Sequence, residues 1–393
     1  MLYVYRLLPF VQIDGTATRE DTVKGAMFKH LGLLTAACCA GVAFTPAARA
    51  DDLMAKAKAQ IDGYRAQPAF TPAGEPFDAK ACMAGKKILS VPASSAIPFL
   101  KTINTSMARI AKEVGFTFQA WENQGQPSQW VQGINFGINN KFDLIDLLAG
   151  TDPRSLEPQV KAARDAGIKV IAAHLTGFEQ PVPGGVTGVV PIDYKRAGEL
   201  LAWQAIAGAG EKANALVLVS NEALSTDSMV AGIKQVFDAN CPTCKYKIVN
   251  VPIPDWSTKV QPNVQSAILA DPTLNYVLPI YDSMAQFVVP ALTITGKSGQ
   301  VKVATFNGTP FVIGLIQKGQ VESDVGENLD WIAHGVIDAE MRILCGLTPV
   351  KDPKIPFLVF DAANAASAGT PPQASTGYGD AYVAGYKALW KLH

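Results

Sequence analysis

The sequence predicts an α/β protein built on parallel sheets, and three observations carry that prediction. Short apolar runs alternate with amphipathic stretches of ten to fifteen residues from Lys86 onward, the pattern of βαβ units. The alternation runs twice, with a Pro- and Gly-rich break at residues 177–188 (GFEQPVPGGVTG) between the runs, so two lobes are expected. Alanine and glycine are abundant and only 17% of residues are charged, which suits closely packed helices rather than a disordered or coiled-coil chain.

The first 50 residues stand apart. Residues 27–50 read as a secretory signal peptide: Lys29 and His30 are basic, residues 31–44 (LGLLTAACCAGVAF) are apolar, and Ala48-Arg49-Ala50 offers a small-x-small cleavage site. The apolar run is shorter than the roughly 20 residues a membrane-spanning helix needs. The mature chain is expected to begin at Asp51, as a soluble exported protein. Residues 1–26 carry mixed charge and no pattern, consistent with an overextended start and Met27 as the true one.

Each later element has its own signal. Residues 51–66 are polar and alanine-rich, a surface helix, and Pro68, Pro72, Gly74 and Pro76 make a linker. Residues 87–91 form the first strand. Phe99, Ile103, Met107, Ile110 and Val114 then recur at helical spacing, and Gly115 ends that helix. Strands follow at 117–121, 144–148 and 169–173, with helix faces marked by Trp130, Ile134 and Ile138 and by Val160 and Ala163. Asp152-Pro153 is an N-cap with proline at the first helical position. The second run places strands at 189–192, 215–219, 247–251, 276–279 and 301–306, with helices at 194–207, 225–239, 258–270 and 284–295. The pattern then changes to a helix at 310–318, a strand at 320–326, a long helix at 329–344, a strand at 357–360, a loop at 369–379, and a terminal helix marked by Tyr382, Tyr386, Leu389 and Trp390.

Composition excludes several functions. The net charge is zero, against nucleic-acid binding, which needs a basic footprint. There is no Gly-x-Ser-x-Gly elbow, His-Glu-x-x-His helix or glycine-rich phosphate loop, and an enzyme is not expected. Cys241 and Cys244 form a lone C-x-x-C between a helix and a strand. With no second C-x-x-C and no His pair nearby, zinc is not expected; a local bridge is. That leaves Cys82 and Cys345 for each other in an oxidising compartment.

In this order, and behind a signal peptide, the elements resemble the type I periplasmic solute-binding proteins of ABC transporters, in the sugar-binding (ribose-binding-protein-like) branch. The likeness runs from about Lys86 to Phe360. It rests on Ile97-Pro-Phe-Leu100, residues 159–171 (QVKAARDAGIKVI), Phe306-Asn-Gly-Thr-Pro310, and residues 325–335 with the helix that continues to Gly346. The resemblance implies two Rossmann-like lobes joined by a three-strand hinge. Residues 86–190 and 328–352 would form one lobe, and residues 191–327 and 353–393 the other together with the C-terminal helix. Residues 51–85 would be an N-terminal helix and linker. It also puts Cys345 near the start of the first strand, beside Cys82.

The resemblance further implies a ligand site at the strand ends, where open α/β sheets bind. Phe99 falls where the family stacks an aromatic on a sugar ring, and Trp256, in what reads as an exposed loop, where the other lobe places one. His174 stands in place of a usual acidic residue, Leu175 and Met229 in place of usual arginines, Asn307 in place of Asp, and Glu327 in place of Gln or Asn. Ser94, Ser95, Tyr281 and Asp282 complete the expected set. Asp282 as a helix cap is the plainer reading. Lacking a guanidinium clamp, the set disfavours anions and favours a neutral sugar or polyol. The expected partners are that ligand, an ABC permease and its ATPase, with the protein a periplasmic monomer without cofactor, metal or nucleic acid. A periplasmic sensor that delivers its ligand-bound form to a membrane receptor is the alternative.

Overall fold

The computed structural model describes residues 46–149 and 152–392. The signal-peptide residues 27–45 and the upstream segment 1–26 lie outside the described residues; residues 46–50 begin a helix.

Eleven strands and twelve α-helices alternate through the described residues. The first half holds α1 (Pro46–Asp62), α2 (Ala79–Met83), β1 (Lys87–Pro92), α3 (Pro98–Val114), β2 (Thr117–Ala120), α4 (Pro127–Asn139), β3 (Leu144–Leu148), α5 (Glu157–Asp165), β4 (Lys169–Ala173) and β5 (Gly188–Val190). These strands form one all-parallel sheet in the order β2-β1-β3-β4-β5. The second half holds α6 (Tyr194–Ala209), β6 (Asn214–Val219), α7 (Ser225–Asn240), β7 (Lys245–Asn250), α8 (Trp256–Ala270), β8 (Tyr276–Pro279), α9 (Ala285–Ile294), β9 (Lys302–Asn307), α10 (Pro310–Gln317), β10 (Ser323–Glu327), α11 (Leu329–Leu344), β11 (Phe357–Asp361) and α12 (Ala381–Leu389). Its sheet runs β11-β10-β9-β8-β6-β7, with β11 alone antiparallel.

Burial follows sheet position. Interior strands β3 and β6 are buried along their whole length, as parallel strands covered on both faces must be. Edge strands β2 and β7 keep exposed residues in alternation. Helix α3 shows how the local rules operate. Pro98 opens it, Phe99, Ile103, Met107, Ile110 and Val114 are buried along one face, and Gly115 closes it at φ 103°, its N–H donating to the Ala111 carbonyl.

The chain crosses between the lobes at Val190–Tyr194, at Glu327–Leu329, and on the return from α11 to β11. Two further crossings lie outside this hinge. Helix α1 packs on α6 in the second lobe, after which the chain runs back to α2, whose Cys82 is bridged to Cys345 at the end of α11. At the other end, β11 belongs to the second sheet, but α12 lies on the first lobe. Tyr382 donates to Asp330, Trp390 Nε1 to Asp338, and Lys387 pairs with Glu113. The sequence reading placed the C-terminal helix with the second lobe. The aromatic face of α12 instead finds the exposed side of α11, where His334 stacks on Trp390 and Trp331 on Tyr382.

Buried Arg342 fastens the leading crossing onto α11, and its partner Asp338 also holds Trp390 of the trailing one. The Arg342 Nε donates to Asp338, its Nη2 to the Glu75 carbonyl, and its guanidinium lies 4.9 Å from the Phe77 ring. The second disulfide, Cys241–Cys244, closes the turn between α7 and β7.

Candidate functional site

The carboxyl ends of the two sheets face one narrow cavity. The first lobe lines it with Ala93, Ile97, Phe99, Leu100 and Ala149; the second with Ala223, Ser225, Ile253, Trp256, Tyr281, Ser283 and Asn307. His174 and Tyr194 stand where the lobes join. Three lining residues with side chains other than hydrogen, all at or just past strand ends, have positive φ: Ala149 (45°), His174 (52°) and Asn307 (143°). Such backbone is costly and persists where the surroundings over-determine it, which is the habit of binding sites.

His174 joins the lobes chemically. Its Nε2 lies 2.8 Å from Glu327 Oε2, and its Nδ1 is 2.6 Å from the Tyr194 hydroxyl, which also reaches the His174 carbonyl at 2.8 Å. Both ring nitrogens are engaged, and the imidazole lies tilted 5.0 Å from the Phe99 ring at the cavity wall. Opposite, Trp256 and Tyr281 stack at 6.0 Å. Trp256 Nε1 donates to Ser220 Oγ and the Val251 carbonyl, and Tyr281 pairs with Ser225 and Thr226. Burial pushes the Tyr281 hydroxyl up to about 12 and raises Tyr194 as well, so both stay neutral.

Behind Asn307 sit three buried carboxyls. Asp282 accepts from the Thr309 N–H at 2.7 Å and Asp324 from the Gly308 N–H at 2.9 Å; Glu327 holds His174. Burial drives Asp282 up to about 7 and holds Asp324 well above the usual carboxylate range. These acids consume the Gly308 and Thr309 backbone donors in the turn that leads into α10, so those donors are not left for a ligand.

Of the ten residues expected from sequence, the structure brings Phe99, His174, Trp256, Tyr281 and Asn307 to the cavity wall. The other five do not line it. Ser94 Oγ caps the turn after β1, accepting from Ala96, and Ser95 ties that turn to Trp121 and Asn123. Met229 is buried where α6 and α7 cross; that crossing is so close that a side chain at Gly198 would run into the Met229 backbone. Asp282 and Glu327 support the wall from behind. Trp256 is not in an exposed loop: it opens α8 and is 6% exposed, because its ring fills the space over Tyr281. Sequence reading missed Ile97, Leu100, Tyr194, Ser225, Ile253 and Ser283. Tyr194 carried a usable signal, as the first helical residue after the break between the lobes.

Residues 88–348 match the model of the periplasmic binding protein domain. The chain belongs to that family. Its α/β architecture of parallel-sheet lobes is the type I periplasmic binding fold, and its relatives are solute-binding proteins rather than enzymes. It is 27% identical over 276 residues to the D-ribose/D-allose-binding protein of Pseudomonas aeruginosa, covering 67% of this chain and 83% of that relative. Among solved structures, an ABC transporter solute-binding protein from Mycobacterium smegmatis with bound glycerol superposes with a TM-score of 0.65 at 21% identity, covering 75% of this chain and 99% of that one. The Caulobacter myo-inositol binding protein superposes with a TM-score of 0.64 at 15% identity, covering 77% and 99%. No described helix is long and apolar enough to cross a membrane.

Proposed function

We propose that this protein is the periplasmic capture component of an ABC importer, taking a small neutral sugar or polyol into the cavity and closing its lobes over it. The observation that supports this most directly is the placement of aromatic walls on opposite lobes, Phe99 on one and Trp256 with Tyr281 on the other, around one cavity at the strand ends. A ligand gripped from both sides favours the closed arrangement by whatever affinity it has for the two walls together. The relatives named for ribose, allose and inositol support the ligand class. The absence of Arg, Lys, Asp and Glu from the described lining residues favours an uncharged solute. The ligand-bound form would then dock on a membrane permease.

The test is X-ray scattering of the mature protein, freed of bound ligand, against a panel of pentoses, hexoses, alditols, inositols and cyclic diols. At least one member should reduce the radius of gyration saturably. Profiles that stay the same across the whole panel refute capture by closure of such a solute.

A further inference from the structure

We infer, resting on the capture reading above, that the ligand is a ring compound from the deoxygenated end of the neutral solutes. It would be a hydrocarbon ring with two or so hydroxyls on one edge, rather than a fully hydroxylated sugar. Three observations carry this. First, the cavity wall is mostly hydrocarbon. Ala93, Ile97, Leu100, Ala223 and Ile253 join the aromatic faces, and one continuous apolar cluster runs from Ile88 and Phe99 in the first lobe to Trp256 and Val288 in the second.

Second, most polar atoms at the wall are already paired within the protein. His174 is held at both nitrogens, Tyr194 bonds His174, and Ser225 and Tyr281 bond each other. Ser283 Oγ leans on Asp282 at 3.4 Å. The exception is Asn307: it is 4% exposed and lines the cavity, and among the described residues its amide has no hydrogen-bond partner.

Third, the backbone donors under the wall are capped by Asp282 and Asp324 rather than left for a ligand. A six-hydroxyl ring placed here would bury several hydroxyls against carbon, and each buried hydroxyl denied a partner lowers affinity by about tenfold. A ring with a single polar edge can set that edge on the Asn307 amide and its carbon face against Phe99 and Trp256, where burial is favourable.

The experiment compares rings of one size. Affinities of the full mature chain for cyclohexane-1,2-diol, myo-inositol and D-ribose are measured by calorimetry and tryptophan fluorescence, beside the variants Asn307→Gly and Ile253→Asn. Glycine suits the positive φ at 307, so the first variant removes the amide without straining the turn. The diol should bind at least about tenfold more tightly than inositol or ribose. Asn307→Gly should lose about tenfold for the diol, and Ile253→Asn should shift preference toward inositol. Inositol or ribose binding as tightly as the diol overturns this inference and leaves neutral-solute capture standing. Binding of none of the three overturns the inference, while the scattering panel decides capture separately. Unchanged diol affinity in Asn307→Gly overturns the role given to Asn307.

Discussion

Replacing Asp146 by asparagine should make the protein more stable at neutral pH, and the gain should vanish in acid. Asp146 lies in the middle of β3 and faces Glu340 on α11; both are fully buried. Ser90 donates to Asp146 Oδ2 at 3.3 Å, while Asp146 Oδ1 and both Glu340 oxygens have no partner. Burial pushes the Asp146 carboxyl from 3.8 up to about 8 and holds Glu340 well above its usual range. The folded protein therefore keeps a proton that the unfolded chain releases near pH 4. Between pH 4 and pH 8 the native state binds more protons than the unfolded one, so stability falls as pH rises through that window and levels off above it. At about 1.4 kcal/mol per unit, Asp146 alone withholds roughly 4 kcal/mol at pH 7. An asparagine is uncharged at every pH and its amide can donate to Glu340. Urea unfolding of the wild type and Asp146→Asn, with disulfides intact, should give curves that converge near pH 4 and separate by about 2–4 kcal/mol at pH 7. Stability curves that run parallel across this range refute the reasoning.

Trp256→Ala should cost the ligand-free protein about 3–5 kcal/mol, because it empties a packed site and strips Ser220 of a donor; a loss below about 1 kcal/mol in urea unfolding would show the ring is not packed as described. The two disulfides should differ in worth. Removing Cys82–Cys345, which spans 263 residues, should cost about 5 kcal/mol by chain entropy, against about 1.5 kcal/mol for Cys241–Cys244, which spans three. Denaturation of the two double-alanine variants checks this, and equal losses would count against the entropic account.

The fold was largely legible because its signals are local and repeated. Helix α11 and strands β3 and β4 match the sequence reading residue for residue, since apolar periodicity, caps and strand length all act within a few residues. What depended on distant partners was not legible. Met229 looks like a cleft residue by position, yet its place is set by how closely α6 and α7 approach through Gly198 and Gly232. Trp256 sits in a loop-like Pro-Asp-Trp-Ser, and only the arrival of Tyr281 and Ser220 from other elements buries it. Asp282 and Glu327 are polar residues at strand ends, and no sequence pattern distinguishes one that faces a cavity from one that props its wall. The lobe on which α12 rests was misread for the same reason: an amphipathic stripe says that a helix is covered, not by what.

The two extra crossings bear on the proposed closure of the lobes. A three-segment hinge alone lets the halves swing and twist about a narrow waist. Here a leading tether anchored by α1, α2 and Cys82, and a trailing tether ending in α12, span the same waist and are fastened to α11, the first through Arg342 and the second through Asp338. In the proposed closure, lateral twisting would stretch one tether or the other, so the lobes would be confined to a single opening arc set by the slack in residues 63–78 and 362–380.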